Sequence, residues 1–298
     1  MAGIGGGLGS GSAALELLTA EELFLLSRAR VSLRRPRGTL LGSHLSRRTG
    51  TSLEFADHRP YQPGDDLRLV DWALYARHRR LMTKVFSREV EAPLYILLDA
   101  SRSMAIGEKF SFAVKLSAAL CFLAFRSGDR FGVYPFRENI QFFGKPRRGR
   151  AALVRAFSAL SQLYPEGRTD FASLALWAER FREPGMCLVL SDFLAPGFRE
   201  GLRALRYSRH AVAAVQILAP SDLDPQIFGE ARLLDVEEGR ARSLVVGRAA
   251  KETYREALRR WNRELLEACL ELGVAHFLFS SAGSPMEAAL ILAKRWRP

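Results

Sequence analysis

The stretch that decides the fold is Leu94-Tyr95-Ile96-Leu97-Leu98-Asp99-Ala100-Ser101-Arg102-Ser103. Its first half is apolar, which is typical of a buried strand, and its second half places one carboxylate and two hydroxyls directly after that strand. Open parallel sheets bind ligands beyond the carboxyl ends of their strands, and hard divalent cations prefer oxygen ligands. This stretch therefore predicts an α/β sheet with an oxygen-rich site at the edge where its strands end.

Two later segments offer further oxygen ligands at the same edge. Thr169 lies in the Gly-containing turn 166–170, ahead of a predicted helix over 171–181. Asp192 follows the apolar run 187–190 and is expected at the end of a second strand of the sheet. The candidate metal ligands are Asp99, Ser101, Ser103, Thr169 and Asp192.

These five positions resemble the metal-ion-dependent adhesion site of von Willebrand factor A domains, which places Asp-x-Ser-x-Ser, a Thr and an Asp on three successive loops. The resemblance implies that Ser101, Ser103 and Thr169 bind Mg²⁺ (or Mn²⁺) directly, while Asp99 and Asp192 bind it directly or through water. One coordination position would stay open for an Asp or Glu side chain of a partner protein. With only two carboxylates among five ligands, the ion would keep positive charge, so the expected function is docking.

A second and more specific resemblance lies upstream. It rests on the segments Thr51-Ser52-Leu53-Glu54-Phe55, Arg59-Pro60-Tyr61-Gln62-Pro63-Gly64-Asp65-Asp66, Arg68, Asp71-Trp72 and Ala76-Arg77. These segments are similar to the signature that precedes the A-type domain in the bacterial family called domain of unknown function 58. Members of that family are often encoded near MoxR-type AAA+ ATPases, so the resemblance implies a MoxR-like AAA+ ATPase as partner. Many members carry transmembrane helices before this signature, and none is predicted here.

Both sets of residues also have a structural explanation. Ser103 could cap the helix that follows it instead of binding a metal. The charged residues of the upstream signature could form buried or half-buried salt bridges that pin this part of the chain onto the A-type domain that follows. They are Arg59, Asp65, Arg68, Asp71 and Arg77.

The chain is expected to divide into a flexible Gly-rich leader over 1–18, a signature unit over 19–92 and an A-type domain over 93–298. From residue 94 onward, strand and helix patterns alternate, and they include a strand over 232–236. Such alternation favours a mainly parallel sheet with helices on both faces. The predicted fold is therefore α/β, von Willebrand factor A-like and Rossmann-like, preceded by a small mixed α/β unit.

Composition places the chain among ordinary globular proteins, with 48% hydrophobic and 26% charged residues. Its three cysteines, Cys121, Cys187 and Cys269, lie among apolar neighbours, which predicts buried thiols and a reducing, cytoplasmic location. The leader lacks the basic start and apolar core of a secretion signal. The apolar stretch 116–125 is well short of the roughly twenty residues that cross a bilayer.

Two other function classes remain open. The net charge of +12 would permit a charge-driven binder of nucleic acid or anionic membrane, although the basic clusters are not interleaved with aromatic residues. A phosphatase-like hydrolase would use Asp99 as its nucleophile. In haloacid-dehalogenase-like phosphatases, however, a second acid stands two residues further on, where this chain has Ser101.

The favoured function is a metal-dependent protein-interaction module, an adaptor for a MoxR-like AAA+ ATPase. No catalytic residue is assigned, and the protein is not expected to be an enzyme.

Overall fold

The computed structural model describes residues 17–29, 53–88, 92–142, 144–234 and 241–296. Of these, residues 17–29 and 92–296 belong to one compact unit and residues 53–88 to a second. The predicted leader over 1–18 lies almost entirely outside the described residues.

Helices and strands alternate along the chain. The helices are α1 (Ala20–Arg28), α2 (Trp72–His78), α3 (Lys109–Arg126), α4 (Arg150–Ser161), α5 (Ala172–Arg180), α6 (Phe198–Tyr207), α7 (Pro220–Leu223), α8 (Arg248–Leu272) and α9 (Pro285–Arg295). The strands are β1 (Leu53–Pro60), β2 (Met82–Arg88), β3 (Leu94–Asp99), β4 (Phe131–Phe136), β5 (Met186–Ser191), β6 (Ala211–Leu218), β7 (Gly229–Leu234), β8 (Ala241–Val246) and β9 (Ala275–Ser280). Two 3-10 helices, Leu67–Leu69 and Arg102–Glu108, precede α2 and α3.

The larger unit is built on a five-stranded parallel sheet with the strand order β4-β3-β5-β6-β9. Side chains alternate along a strand, so the central strand β3 serves two cores. Leu94, Ile96 and Leu98 pack with α3, α4 and α9 on one face. Tyr95 and Leu97 pack with α5, α6 and α8 on the other face. This confirms the prediction of a Rossmann-like α/β sheet covered by helices on both sides.

The strand predicted near residue 232 does not join this sheet. It forms β7, which pairs antiparallel with β8 in a separate two-stranded sheet between α7 and α8. The sequence pattern identified β7 as a strand but did not identify β8 as its partner. The chain therefore leaves β6, forms this hairpin and returns through the long helix α8 to β9.

The N-terminal boundary of the larger unit differs from the predicted division at residue 19. Helix α1 belongs to the larger unit, where Leu18 and Leu26 are buried in the core beneath α3 and α9. The Arg126 guanidinium at the end of α3 donates a hydrogen bond to the Leu26 carbonyl at 2.9 Å. Apolar burial and this hydrogen bond explain why α1 packs with the sheet domain.

The smaller unit is an antiparallel pair, β1 and β2, with α2 between the two strands in the chain. Arg59 and Asp65 form a salt bridge at 2.6 Å within this unit, whereas the structural explanation of the signature predicts bridges to the A-type domain. Asp71 caps α2 by accepting from Leu74 N–H at 3.0 Å and lies 2.9 Å from His58 Nε2. These two hydrogen bonds lower the pKa of Asp71 to about 2.

The three cysteines are buried free thiols, as predicted, and burial raises the pKa of each. Within the described part of the chain, no helix has both the length and the apolar character needed to cross a membrane.

Gly107 is a position where the backbone requires glycine. Its φ is +61°, and a Cβ there would lie 2.3 Å from the Ala219 Cβ in the loop after β6. We expect Gly107→Ala to lower the free energy of unfolding by about 3 kcal/mol, because it combines a left-handed alanine with overpacking. Urea denaturation followed by circular dichroism measures this loss.

Gly128→Ala is the matched control for this substitution. Gly128 also has a positive φ, of +74°, but nothing lies within 4 Å of its added Cβ. Its expected loss is only about 1 kcal/mol, from the backbone conformation alone. Equal losses for the two variants would show that the loops carrying Gly107 and Ala219 do not approach closely.

Candidate functional site

The loop after β3 carries the first three candidate ligands. Asp99 is fully buried at the end of β3, and its Oδ1 accepts a hydrogen bond from Ser101 N–H at 3.0 Å. This bond folds the chain back on itself, so the Ser101 and Ser103 hydroxyls lie 3.0 Å apart. Ser101 and Ser103, which are two residues apart in the sequence, thus have hydroxyls within hydrogen-bond distance of each other.

Thr169 joins this group from the turn before α5. Its Oγ1 lies 3.1 Å from Asp99 Oδ2 and 2.8 Å from Ser101 Oγ. Backbone hydrogen bonds hold the two loops together, from Arg102 N–H to the Gly167 carbonyl at 3.1 Å and from Glu166 N–H to the Ala100 carbonyl at 2.9 Å. The structure therefore brings four of the five predicted residues into one cluster.

Ser191 is a member of this cluster that the sequence did not reveal. It is the last residue of β5, and its hydroxyl donates to Asp99 Oδ2 at 2.5 Å while accepting from Phe193 N–H at 3.1 Å. The available signal was its place next to Asp192 at the end of an apolar strand. A single hydroxyl at that place is also typical of an ordinary strand residue.

Asp192, the fifth predicted residue, has a different set of partners. Its Oδ2 accepts from Lys109 Nζ at 2.8 Å, and its Oδ1 accepts from Leu194 N–H at 3.1 Å. Lys109 Nζ also lies 3.0 Å from Asp222 Oδ2, in α7 after β6. We refer to Lys109, Asp192 and Asp222 as the buried ion triad, since their side chains are 1%, 1% and 12% exposed.

Lys109 occupies a place that disfavours a cation. It is the first residue of α3, where the helix dipole is positive, and burial lowers the pKa of a lysine that is removed from water. The carboxylates of Asp192 and Asp222 outweigh that burial and hold the pKa of Lys109 above its usual value. The two acids that converge on the lysine therefore favour its charged form.

The surroundings of Asp99 disfavour its charged form, whereas those of Lys109 favour the charged lysine. Burial, together with repulsion from the nearby Asp192 carboxylate, raises the pKa of Asp99 to about 7 despite its hydrogen bonds from Ser191 and Ser101. A carboxylate in this position is stabilised by either a proton or a cation beside it.

Arg137, in the loop after β4, holds the two ligand loops from the outside. Its Nε donates to the Ala100 carbonyl at 3.1 Å, and its guanidinium also donates to the Tyr164 carbonyl at 2.9 Å. It forms an ion pair with Glu166 as well. Nothing in the local sequence around Arg137 indicated this role, because its partners are far away in the chain.

The oxygen cluster has dimensions that fit a magnesium ion. Neighbouring ligands of an octahedral Mg²⁺ are about 2.9 Å apart when each lies 2.0–2.1 Å from the ion. The Ser101–Ser103 and Ser101–Thr169 oxygen separations are 3.0 Å and 2.8 Å. No group of three or more His, Cys, Asp or Glu side chains suited to a metal occurs among the described residues. A cation here would therefore depend on the hydroxyls and Asp99.

The raised pKa of Asp99 predicts a pH dependence of stability. In the absence of divalent cations, the folded protein keeps a proton on Asp99 up to about pH 7, whereas the unfolded chain loses it near the ordinary value of 3.8. Stability should therefore fall as the pH rises from about 4 to about 7, by at most about 4 kcal/mol. Urea denaturation in chelator across this range measures the effect. Asp99→Asn should remove this component, and an unchanged pH profile would contradict the prediction.

The buried ion triad predicts a large effect for loss of its cation. Lys109→Met should lower the free energy of unfolding by about 3–5 kcal/mol, because it leaves two carboxylates without their counter-ion. Adding Asp222→Asn should recover part of this loss. Lys115→Met, a partly exposed position on the same helix, is the control, and its expected effect is below about 1 kcal/mol. Equal losses at the two lysines would contradict the triad.

Comparison with known proteins identifies one matching family and several relatives of this chain. The family model described as "Protein of unknown function DUF58" matches residues 57–264. An uncharacterised protein of Mycobacterium tuberculosis is 32% identical over 234 residues, which are 74% of this chain and 72% of the relative. The uncharacterised protein YeaD of Bacillus subtilis is 31% identical over 97 residues, which are 30% of this chain and 23% of YeaD.

Two solved structures are similar at low sequence identity. The conserved hypothetical protein BatB from Bacteroides thetaiotaomicron is 14% identical, with 67% of this chain and 95% of that chain covered and a TM-score of 0.42. An aerotolerance-related membrane protein from Bacteroides fragilis is 15% identical, with 66% of this chain and 94% of that chain covered and a TM-score of 0.43.

The family match covers most of the chain and includes most of the signature. This chain therefore belongs to the family described as protein of unknown function DUF58.

Proposed function

We propose that this protein is a metal-dependent protein-interaction module of the von Willebrand factor A type. Asp99, Ser101, Ser103 and Thr169 would hold Mg²⁺ or Mn²⁺, and Asp192 would add negative charge nearby. A divalent cation supplies an open coordination position that attracts a carboxylate from another protein. The observation that carries the proposal is the convergence of hydroxyls from two loops beside one buried carboxylate: the hydroxyl oxygens lie 2.8–3.0 Å apart, and Thr169 Oγ1 lies 3.1 Å from Asp99 Oδ2.

The surroundings of the cluster support access by an acidic partner. Ser103 and Thr169 are half-buried, whereas Asp99 is fully buried. Arg102 and Arg168, on the same two loops, are exposed. Basic residues around a binding site attract an acidic protein and increase the rate of its encounter. The net charge of +12 acts in the same direction over longer distances.

The partner that we propose is a MoxR-like AAA+ ATPase or a client that it acts on, as the family resemblance implies. A hydrolytic role for Asp99 has less support. Asp99 is fully buried, and both of its carboxylate oxygens accept hydrogen bonds within the chain. A carboxylate nucleophile needs an oxygen that can reach its substrate.

Isothermal titration calorimetry with Mg²⁺ tests the site directly. We expect saturable binding by the wild type, no binding by Asp99→Ala, and at least about tenfold weaker binding by Thr169→Val, which removes a hydroxyl ligand. Ser161→Ala, which removes an exposed hydroxyl at the end of α4, is the control and should bind like the wild type. Equal binding by the wild type and Asp99→Ala would remove the site.

Pull-down of a MoxR-like ATPase that is encoded near the gene for this protein, with and without chelator, tests the docking role. Metal-dependent docking predicts that both chelation and Asp99→Ala abolish capture. A charge-driven binder instead predicts binding that falls steeply with salt and does not respond to Asp99→Ala. Capture that persists in chelator would contradict the proposed function even if the protein binds Mg²⁺.

A further inference from the structure

The buried ion triad lies beside the oxygen cluster and shares Asp192 with the predicted ligand set. Asp192 directly follows Ser191, whose hydroxyl donates to Asp99 Oδ2 at 2.5 Å, and β5 pairs with β3, so Asp192 and Asp99 lie at the same edge of the sheet. Yet both Asp192 oxygens already accept hydrogen bonds, one from Lys109 Nζ at 2.8 Å and one from Leu194 N–H at 3.1 Å. The ammonium occupies the carboxylate oxygen that is not bound to the backbone.

The backbone before α3 directs Lys109 to this place. Gly107 and Glu108 both have positive φ, of +61° and +63°, and the second is a non-glycine residue in a left-handed conformation that costs about 1–2 kcal/mol. The turn approaches the loop that carries Asp222 closely, since a Cβ added at Gly107 would lie 2.3 Å from the Ala219 Cβ. Asp222 is itself fixed, since its Oδ2 accepts from Ala219 N–H at 2.9 Å.

We infer that Lys109 is a built-in cation that withholds Asp192 from the metal and thereby limits the affinity and negative charge of the site. This inference rests on the proposed function, since it concerns the same oxygen cluster. A buried ammonium and a divalent cation compete for the same carboxylate, because its negative charge stabilises either of them. Lys109 is in this sense a positioning residue that determines which oxygens remain for a metal.

The pairing of Lys109 with Asp192 determines how much positive charge a bound metal ion keeps. A divalent ion held by hydroxyls and one carboxylate keeps more positive charge than an ion that also binds Asp192 directly. Such an ion attracts an external carboxylate more strongly, at the expense of its own affinity for the site. Lys109 therefore shifts the site from tight metal storage toward docking of an acidic group.

The double variant Lys109→Met/Asp222→Asn tests this inference. It removes one positive and one negative charge, so the net charge of the triad is unchanged and only Asp192 is freed. We expect its Mg²⁺ affinity, measured by calorimetry, to rise at least about tenfold above that of the wild type. Adding Asp192→Asn should abolish the gain. The single variant Asp222→Asn, which leaves Lys109 on Asp192, should show no such gain.

A purely structural role for Lys109 predicts a different result. The double variant would then bind Mg²⁺ as the wild type does or more weakly, and either result would overturn the inference. Binding by the double variant alone would support the role of Lys109 while contradicting metal-dependent docking by the natural chain. Absence of binding in both proteins would overturn the inference and the proposed function together.

Folding of the variants is checked by circular dichroism before titration. If Lys109→Met/Asp222→Asn does not fold, Lys109→Gln/Asp222→Asn keeps a hydrogen-bond donor beside Asp192 and carries the same expectation. Its gain in Mg²⁺ affinity should be smaller, at about threefold or more, because the amide still competes for the carboxylate oxygen. An affinity at or below that of the wild type would overturn the inference.

Discussion

The buried pairing of Lys109 with Asp192 and Asp222 is the interaction on which the carboxyl edge of the sheet depends. It joins the start of α3, the end of β5 and the helix after β6, which are separated by many residues in the chain. Charged groups removed from water are costly unless every partner is present. The three segments can therefore take this arrangement only together.

Short side chains, and not long acidic ones, form the oxygen cluster. Asp99 extends directly from the buried strand β3, and its oxygens are fixed by Ser101, Ser191 and Thr169. The hydroxyls have few rotatable bonds, so little conformational entropy is lost when they are oriented. Short side chains on tightly bound loops thus achieve the spacing of a cation site through the backbone.

Much of the fold could be predicted from the sequence, because local patterns of apolar and polar residues indicate where most of its strands and helices lie. The apolar run 94–98 is buried on both faces, and the acids and hydroxyls that follow it mark where the strand ends. The same reasoning placed Thr169 near Asp99, although the two residues are far apart in the chain. It failed for β8, because a short strand in an antiparallel hairpin resembles many other segments of similar composition.

The role of Asp192 shows why the site could be predicted only in part. Its position after an apolar strand correctly indicated the sheet edge, but position alone does not reveal which groups surround a carboxylate. Lys109 stands at the start of a helix, a place where lysine is normally solvated and not buried. Only the three-dimensional meeting of α3 with the end of β5 brings that ammonium to Asp192, and no local sequence pattern indicates it.

The presence of an internal counter-ion bears on how folding and metal binding are related. Structural metal sites typically contribute the free energy that folds their domain, because their ligands would repel one another without the ion. Here Lys109 already offsets part of the negative charge of Asp192 and Asp222, and Asp99 can hold a proton when no cation is present. The sheet edge is thus complete before any metal arrives. Under the proposed function, occupancy of the site would then change what the protein binds and not whether it folds.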